Sequence, residues 1–231
     1  MIRKLKAITT LQNTINKELV ILHAYLKNVE RDIRNQGTSY YNKIDIVEIG
    51  KSTILNIEIA DTRQEFEGID GSCIDFERMF EETFPRLQRI SAFITAFGFF
   101  EDILIRFCES VRKELMIART LKKITGDNDL DKAINFLTEQ LGISFDKNTT
   151  CYKEILKVKK IRNIFTHRSA TVDQNDKQNT QFINEFSFLS TTTAFNIVPA
   201  RIEIEEGFLD YCFSCFQNIL NYLLDCCFEK K

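Results

Sequence analysis

Residues that break regular structure are scarce in this chain: 8 glycines and 2 prolines stand among 231 residues. That is about 4%, where roughly 12% is usual. Glycine and proline interrupt helices and build the turns that many-stranded folds need, so their scarcity favours long helices over many short strands. A hydrophobic fraction of 44%, with 20 Phe, supplies a real core and excludes wholesale disorder. The expected fold class is all-α, a bundle of four or five helices with small β-hairpin-like insertions, in a single domain over residues 1–231.

Apolar spacing places the elements. Ile8, Ile15, Leu19, Leu22, Leu26, Val29 and Ile33 follow alternating steps of four and three from Ile15 onward, which predicts a long N-terminal helix over residues 1–36. Gly37 is its expected stop, since glycine supplies the left-handed turn after a helix. Over 43–61, Ile44 and Ile46, then Leu55, Ile57 and Ile59, alternate with polar residues around Gly50-Lys51-Ser52, as in a hairpin. A loop is expected over Gly68 to Ser72, with helical spacing resuming at Phe76. Pro85 marks a helix start near Phe84. An apolar helix runs from Arg86 to Leu121 with Phe93, Phe97, Phe100 and Leu104 in the core. Gly126 ends it, and Leu130 to Leu141 forms a short helix. A motif helix spans 149–171, a polar loop 173–180 and a small strand pair 181–198, with Phe186 and Phe188 alternating. Pro199 opens the last helix, where Ile202, Leu209, Phe213, Phe216, Leu220 and Leu223 recur at helical spacing.

The N-terminal region lacks an unbroken apolar run and a small-residue cleavage site, so no secretory signal is expected. Ala92 to Phe100 is the most apolar stretch, and it is too short for a bilayer core of about 30 Å. Seven scattered cysteines fit reduced thiols. A cytoplasmic chain with no membrane partner is expected.

Charge is distributed unevenly. The total is -2, yet residues 147–168 carry Lys147, Lys153, Lys157, Lys159, Lys160, Arg162 and Arg168 against Glu154 alone, seven minus one or +6. The remainder therefore sums to -8. A positive face on an acidic body is a footprint of phosphate binding, although a solvated helix face has the same composition. At 100° per residue, Asn163 and His167 share a face with Lys160. Arg162 falls instead on the apolar arc of Ile155, Val158 and Phe165, where an unpaired charge is costly. It requires a phosphate, a subunit boundary or a carboxylate, for which Glu101 is the structural charge partner.

Arg162-Asn163-Ile164-Phe165-Thr166-His167 resembles the Arg-x4-His signature of HEPN domains, in its Arg-Asn-x3-His form. Phe84-Pro85-Arg86-Leu87, Ser91 and Glu101 resemble the preceding helices of bacterial HEPN-like proteins, as does the run from Ala133 through Phe145. The resemblance covers roughly residues 80–170 and, more loosely, the last helix. It implies a HEPN-like helical bundle that forms a homodimer with two motifs at a shared cleft. It further implies a metal-independent endoribonuclease with no cofactor, serving as a toxin or antiphage defence component alongside a cognate antitoxin or defence partner protein. The alternative is a non-catalytic HEPN-like module that binds RNA or protein.

In the catalytic case His167 is the general base or acid, Arg162 stabilises the phosphorane charge, and Asn163 orients the phosphate or the imidazole. Lys159, Lys160 and Arg168 are expected to bind the RNA substrate. Some nuclease toxins of this family carry a modifiable tyrosine two positions after the histidine. Ser169 stands there, which counts against that form of control. His23 reads as an ordinary, partly exposed residue. Cys212 and Cys215 have ligand spacing but lack a second pair, so no metal site is expected. Glu101 and Asp102 are adjacent on a helix and point 100° apart, so they are not paired carboxylates. No phosphate loop, dinucleotide fingerprint or nucleophile elbow is present.

Overall fold

The computed structural model describes residues 2–54, 57–167, 170–173, 175–192 and 200–228, without the side chains of 2–8, 54 and 228. It is 65% helical and 16% strand, with two three-stranded antiparallel sheets. The fold class is therefore mixed, and the all-α expectation is corrected.

The chain forms two compact units, Met1–Lys27 with Ile90–Lys231, and Asn28–Arg89. Helix α1 (Ile2–Tyr41) supplies residues to both. It runs through Gly37 instead of stopping there. Tyr40 packs against Phe80 and Phe84 with ring centroids 5.2 Å apart, which outweighs the roughly 1 kcal/mol cost of a helical glycine.

In the smaller unit, β1 (Asp45–Ile54) pairs antiparallel with β2 (Ile57–Phe66), which also pairs with β3 (Ile69–Asp70). The expected hairpin exists, but Gly50-Lys51-Ser52 lies inside β1 beside a bulge between Glu48 and Gly50. Leu55, expected in the second strand, lies outside the described residues. Helix α2 (Phe76–Arg78) passes through a π-helical stretch, Met79–Thr83, into α3 (Phe84–Glu114). The α-helix starts at Phe84, as Pro85 predicts, though it continues directly from that wide turn. The proline ring and missing N–H are incompatible with a regular bond to the preceding turn, and the wider turn accommodates them. Phe66, Phe76, Met79 and Phe80 form the core of this unit. Arg89 Nε donates to both Glu30 oxygens at 3.0 and 3.2 Å, and its Nη2 donates to Oε2 at 3.0 Å.

The larger unit contains the rest. Helix α3 ends at Glu114, short of the expected Leu121, and a 3-10 turn occupies Leu121–Lys123. Helix α4 (Asp129–Leu141) is capped by Asn128, whose side chain accepts from the Asp131 N–H, and closes at Gly142 with φ 60°. Helix α5 (Thr150–His167) is the motif helix, and its expected continuation to residue 171 is corrected. Ala170 has φ 56°, and β4 (Thr171–Val172) pairs with β6 (Ala200–Ile204). Residues 177–184 form helix α6 (Lys177–Asn184), where a polar loop running into a strand was expected. The Asp176 side chain caps it by accepting from the Asn179 N–H, and burial of Ile183 and Phe186 holds it down. Among the described residues of the expected strand pair, β5 (Leu189–Thr192) is the one strand, and it pairs with β6. Ile202 thus belongs to a central strand, and the last helix, α7, runs Phe208–Phe228. Pro199 lies outside the described residues. Gly207, at φ 94° against the Phe188 ring, makes the turn into α7.

The expected core of α3 is present: Phe93, Phe97, Phe100 and Leu104 are buried. Phe93 meets Phe165 of α5 and Phe208 of α7, and Phe100 stacks on Phe216 at 4.7 Å. This aromatic layer holds α5 against α3 and α7, and it fixes which face of the motif helix remains accessible. Among the described residues no helix is long and apolar enough to cross a membrane.

Candidate functional site

Helix α5 buries Tyr152, Ile155, Val158, Ile161, Ile164 and Phe165. The spacing of this stripe leaves the basic and amide side chains on the remaining arc. His167 is the last residue of the helix and is exposed, while Asn163, one turn earlier, is half-buried. Lys160 is exposed on the same face (i, i+3 and i+7 with Asn163 and His167), in accord with helical spacing.

Arg162 leaves that face for the apolar arc, as expected. Its Cζ lies 5.7 Å from the centroid of Phe97. Its Nη2 stands 4.0 Å from Glu101 Oε2, at the outer limit of an ion pair. Nη1 donates to Asn163 Oδ1 at 3.3 Å, whereas the buried Nε has no hydrogen-bond partner among the described residues. Thr166 Oγ1 donates back to the carbonyls of Arg162 and Asn163 at 3.0 and 3.2 Å. Burial pushes the Glu101 carboxyl above the ordinary carboxylate range, and attraction from Arg162 and Lys159 only partly offsets it. The guanidinium is thus oriented by its neighbours but loosely held. An anion presented to it competes with a carboxylate at 4.0 Å rather than with a tight bidentate pair.

The basic residues of the segment diverge. Lys159 lies toward Glu101, and Lys160 extends to α6, where its Nζ sits 4.0 Å from the Phe182 ring centroid. The two point apart because consecutive helical residues are separated by 100°. Lys157 donates to Glu154 at 2.8 Å, and Lys147 lies over Tyr152 at 6.0 Å. Part of the +6 charge is therefore bound within the fold. Arg168 lies outside the described residues, as does Ser169. Just beyond them, the Ile202 N–H donates to Ala170 O at 2.9 Å, which ties the chain leaving α5 to the sheet.

Two features were not anticipated from sequence. Phe182 on α6 meets Lys160, and its ring packs edge-on against Phe186 at 5.2 Å. The cap pair Asp176/Asn179 and the i, i+4 spacing of Phe182 and Phe186 are the signals that would have revealed α6. The second is a polar group within the α5–α7 contact, where Tyr211 OH donates to Glu154 and Cys215 lies close to that phenol. Burial and then the bond to Glu154 push the Tyr211 phenol up, so it remains a donor across the neutral range.

His23 stacks on Phe213 at 4.3 Å with its Nε2 3.7 Å from Asp210, and Lys27 reaches the other Asp210 oxygen at 3.6 Å. Cys212 and Cys215 are buried in the packed face of α7. Among the described residues no group of three or more His, Cys, Asp or Glu side chains is arranged to hold a metal ion.

Comparison with protein-family profiles, curated proteins and solved structures finds no match to this chain.

Proposed function

We propose that the chain is a metal-independent endoribonuclease of the HEPN type, acting as a cytoplasmic homodimer in a toxin or antiphage defence system with a cognate partner protein. The observation that carries this reading is a loosely held guanidinium, Arg162, and an exposed imidazole, His167, five residues apart on α5. Arg162 is about one-third exposed and has only a 4.0 Å ion pair and a 3.3 Å hydrogen bond on its terminal nitrogens.

RNA cleavage by its own 2′-OH requires three things. A base must take the 2′ proton, a cation must stabilise the pentavalent phosphorane, and an acid must protonate the leaving 5′-oxygen. His167 performs one proton transfer, and the second copy's His167 performs the other when two motifs face a common cleft. Arg162 presents a planar donor fork to the non-bridging oxygens, and Asn163, already hydrogen-bonded to Arg162, keeps that fork aligned with the scissile phosphate. These side chains supply the acid, the base and the charge themselves.

The competing reading, a non-catalytic HEPN-like module for RNA or protein, is favoured by one observation. Arg162 also has architectural neighbours, Phe97 beneath it and Glu101 beside it. The two readings separate in one experiment: incubate RNA with the purified protein in excess chelator and examine the ends. Cleavage leaving 2′,3′-cyclic phosphates, lost in a folded His167→Ala variant, is the expected result. Cleavage unchanged in that variant, or none by the native protein, overturns the ribonuclease assignment.

A further inference from the structure

We propose that Lys160 and Phe182 form a nucleotide platform that selects single-stranded RNA at the motif helix. This inference rests on the ribonuclease reading for its substrate, though the binding it describes can be measured without cleavage.

Lys160 is on the α5 face that also carries Asn163 and His167. A lysine there would ordinarily extend into solvent. Instead its ammonium is centred 4.0 Å above the Phe182 ring, well inside the range of a cation–π contact. The ring is held by its neighbours: Ile183 on the same helix is fully buried, and Phe186, also buried and just past the helix end, meets Phe182 edge-on. Asp176 caps the helix with its carboxylate on the Asn179 N–H at 3.1 Å, which keeps the aromatic residues in register. Phe182 itself is only half-buried. The result is an aromatic surface with a positive charge at its face, two helical turns before the exposed His167 on α5.

That combination matches one nucleotide of an unpaired strand. The phosphate draws the ammonium off the ring and the base stacks on the face it vacates, an arrangement that tolerates any base because each has a π-face. A-form duplex does not offer it, since its bases are already stacked and its deep groove admits no ring. A stacked base next to the scissile phosphate also unstacks the backbone there, which frees the 2′-OH to approach an in-line geometry. The charge alone would attract any polyanion, and Phe182 is what makes the site discriminate.

The test uses an oligouridylate, its 2′-deoxy counterpart, and the oligouridylate annealed to oligoadenylate, with the full-length protein. The deoxy strand lacks the nucleophile, so it reports binding alone. Native protein is expected to bind both single strands and to bind the duplex more weakly. Phe182→Leu keeps the bulk and removes the π-face, and it should weaken deoxy-strand binding roughly five- to a hundredfold. The salt dependence should stay unchanged. Phe182→Tyr should restore binding. Lys160→Gln should instead reduce the slope of log affinity against log salt by about 0.7, the value for one phosphate on a single strand. Native-like affinity in Phe182→Leu, or equal affinity for duplex, overturns the platform. If the deoxy strand shows this pattern but no RNA is cut, the platform stands and the ribonuclease assignment fails. If RNA is cut but Phe182→Leu binds normally, only the platform fails.

Discussion

Tyr211→Phe isolates one buried polar contact whose contribution can be derived from the structure. Helices α5 and α7 meet where the Tyr211 hydroxyl donates to Glu154 Oε2 and Lys157 donates to Oε1 at 2.8 Å. Hydrogen bonds from Lys157 and then Tyr211 hold the Glu154 carboxyl below the ordinary range, against the opposing effect of burial. The two arms differ in consequence. Lys157 is 41% exposed and one helical turn away, so its pair with Glu154 contributes only about 0.3–0.5 kcal/mol. The Tyr211 arm bridges two helices at a partly buried site, and a hydrogen bond to a charged acceptor contributes about 1.5–3 kcal/mol. For a chain of this size each kcal/mol corresponds to about 2–4 °C in Tm. Tyr211→Phe should thus lower Tm by about 3–12 °C, read by far-UV circular dichroism at neutral pH, and Lys157→Met by about 1–2 °C.

The pH dependence gives a second, independent reading of the same contact. A carboxyl whose folded value lies below its unfolded value contributes stability at every pH above the unfolded value. That contribution is lost as pH falls through the folded value. The gap between native protein and Tyr211→Phe should therefore be widest at neutral pH and narrow below about pH 4, where unfolded Glu titrates. Glu154→Gln should flatten this acid limb. A Tyr211→Phe protein melting within about a degree of native at neutral pH, or a gap that widens in acid, refutes the reasoning.

Other outcomes follow from single residues. Arg162→Lys should fail to support RNA cleavage, because a point charge cannot replace the planar fork; near-native turnover by the folded variant would show that the guanidinium geometry is irrelevant. In the smaller unit the Arg89–Glu30 side chains are only 12% and 10% exposed, so Arg89→Met should cost about 3–5 kcal/mol by stranding a buried carboxylate. Adding Glu30→Leu should recover much of that in a chemical-denaturation series, and a double variant no more stable than the single would disprove it. Cys73 is exposed, whereas burial pushes the Cys215 thiol up to about 11 and the Cys212 thiol well above the ordinary range. A thiol reagent at neutral pH should therefore modify Cys73 before either α7 cysteine, as read by peptide mass mapping. Equal rates for all three in folded protein would contradict the burial.

Sustained helical periodicity made the long helices legible in the sequence. The Ile15–Ile33 seam, the Phe93–Leu104 run and the apolar stripe of α5 each repeat over several turns, and a period of 3.6 is a property of the local chain. The same spacing correctly separated Arg162 from the face of Asn163 and His167. Sequence did not reveal the smaller sheet β4-β6-β5, because its central strand pairs Thr171 with Arg201 and Leu189 with Ile204. Those partners are distant in the chain, and two isoleucines such as Ile202 and Ile204, set either side of Glu203, are too short a pattern to fix a strand until its neighbours arrive. Helix α6 was missed for the related reason that burial of Ile183 and Phe186, rather than intrinsic propensity, decides it.

For the site itself, residue types and their order along α5 were determined by the sequence. Their electrostatic condition was decided by the tertiary structure: Glu101, 61 residues before Arg162 in the chain, stands at 4.0 Å, and Phe182 captures Lys160. A side chain's partner is set by which distant surface covers it, and that covering exists only once the aromatic layer of α3, α5 and α7 has closed.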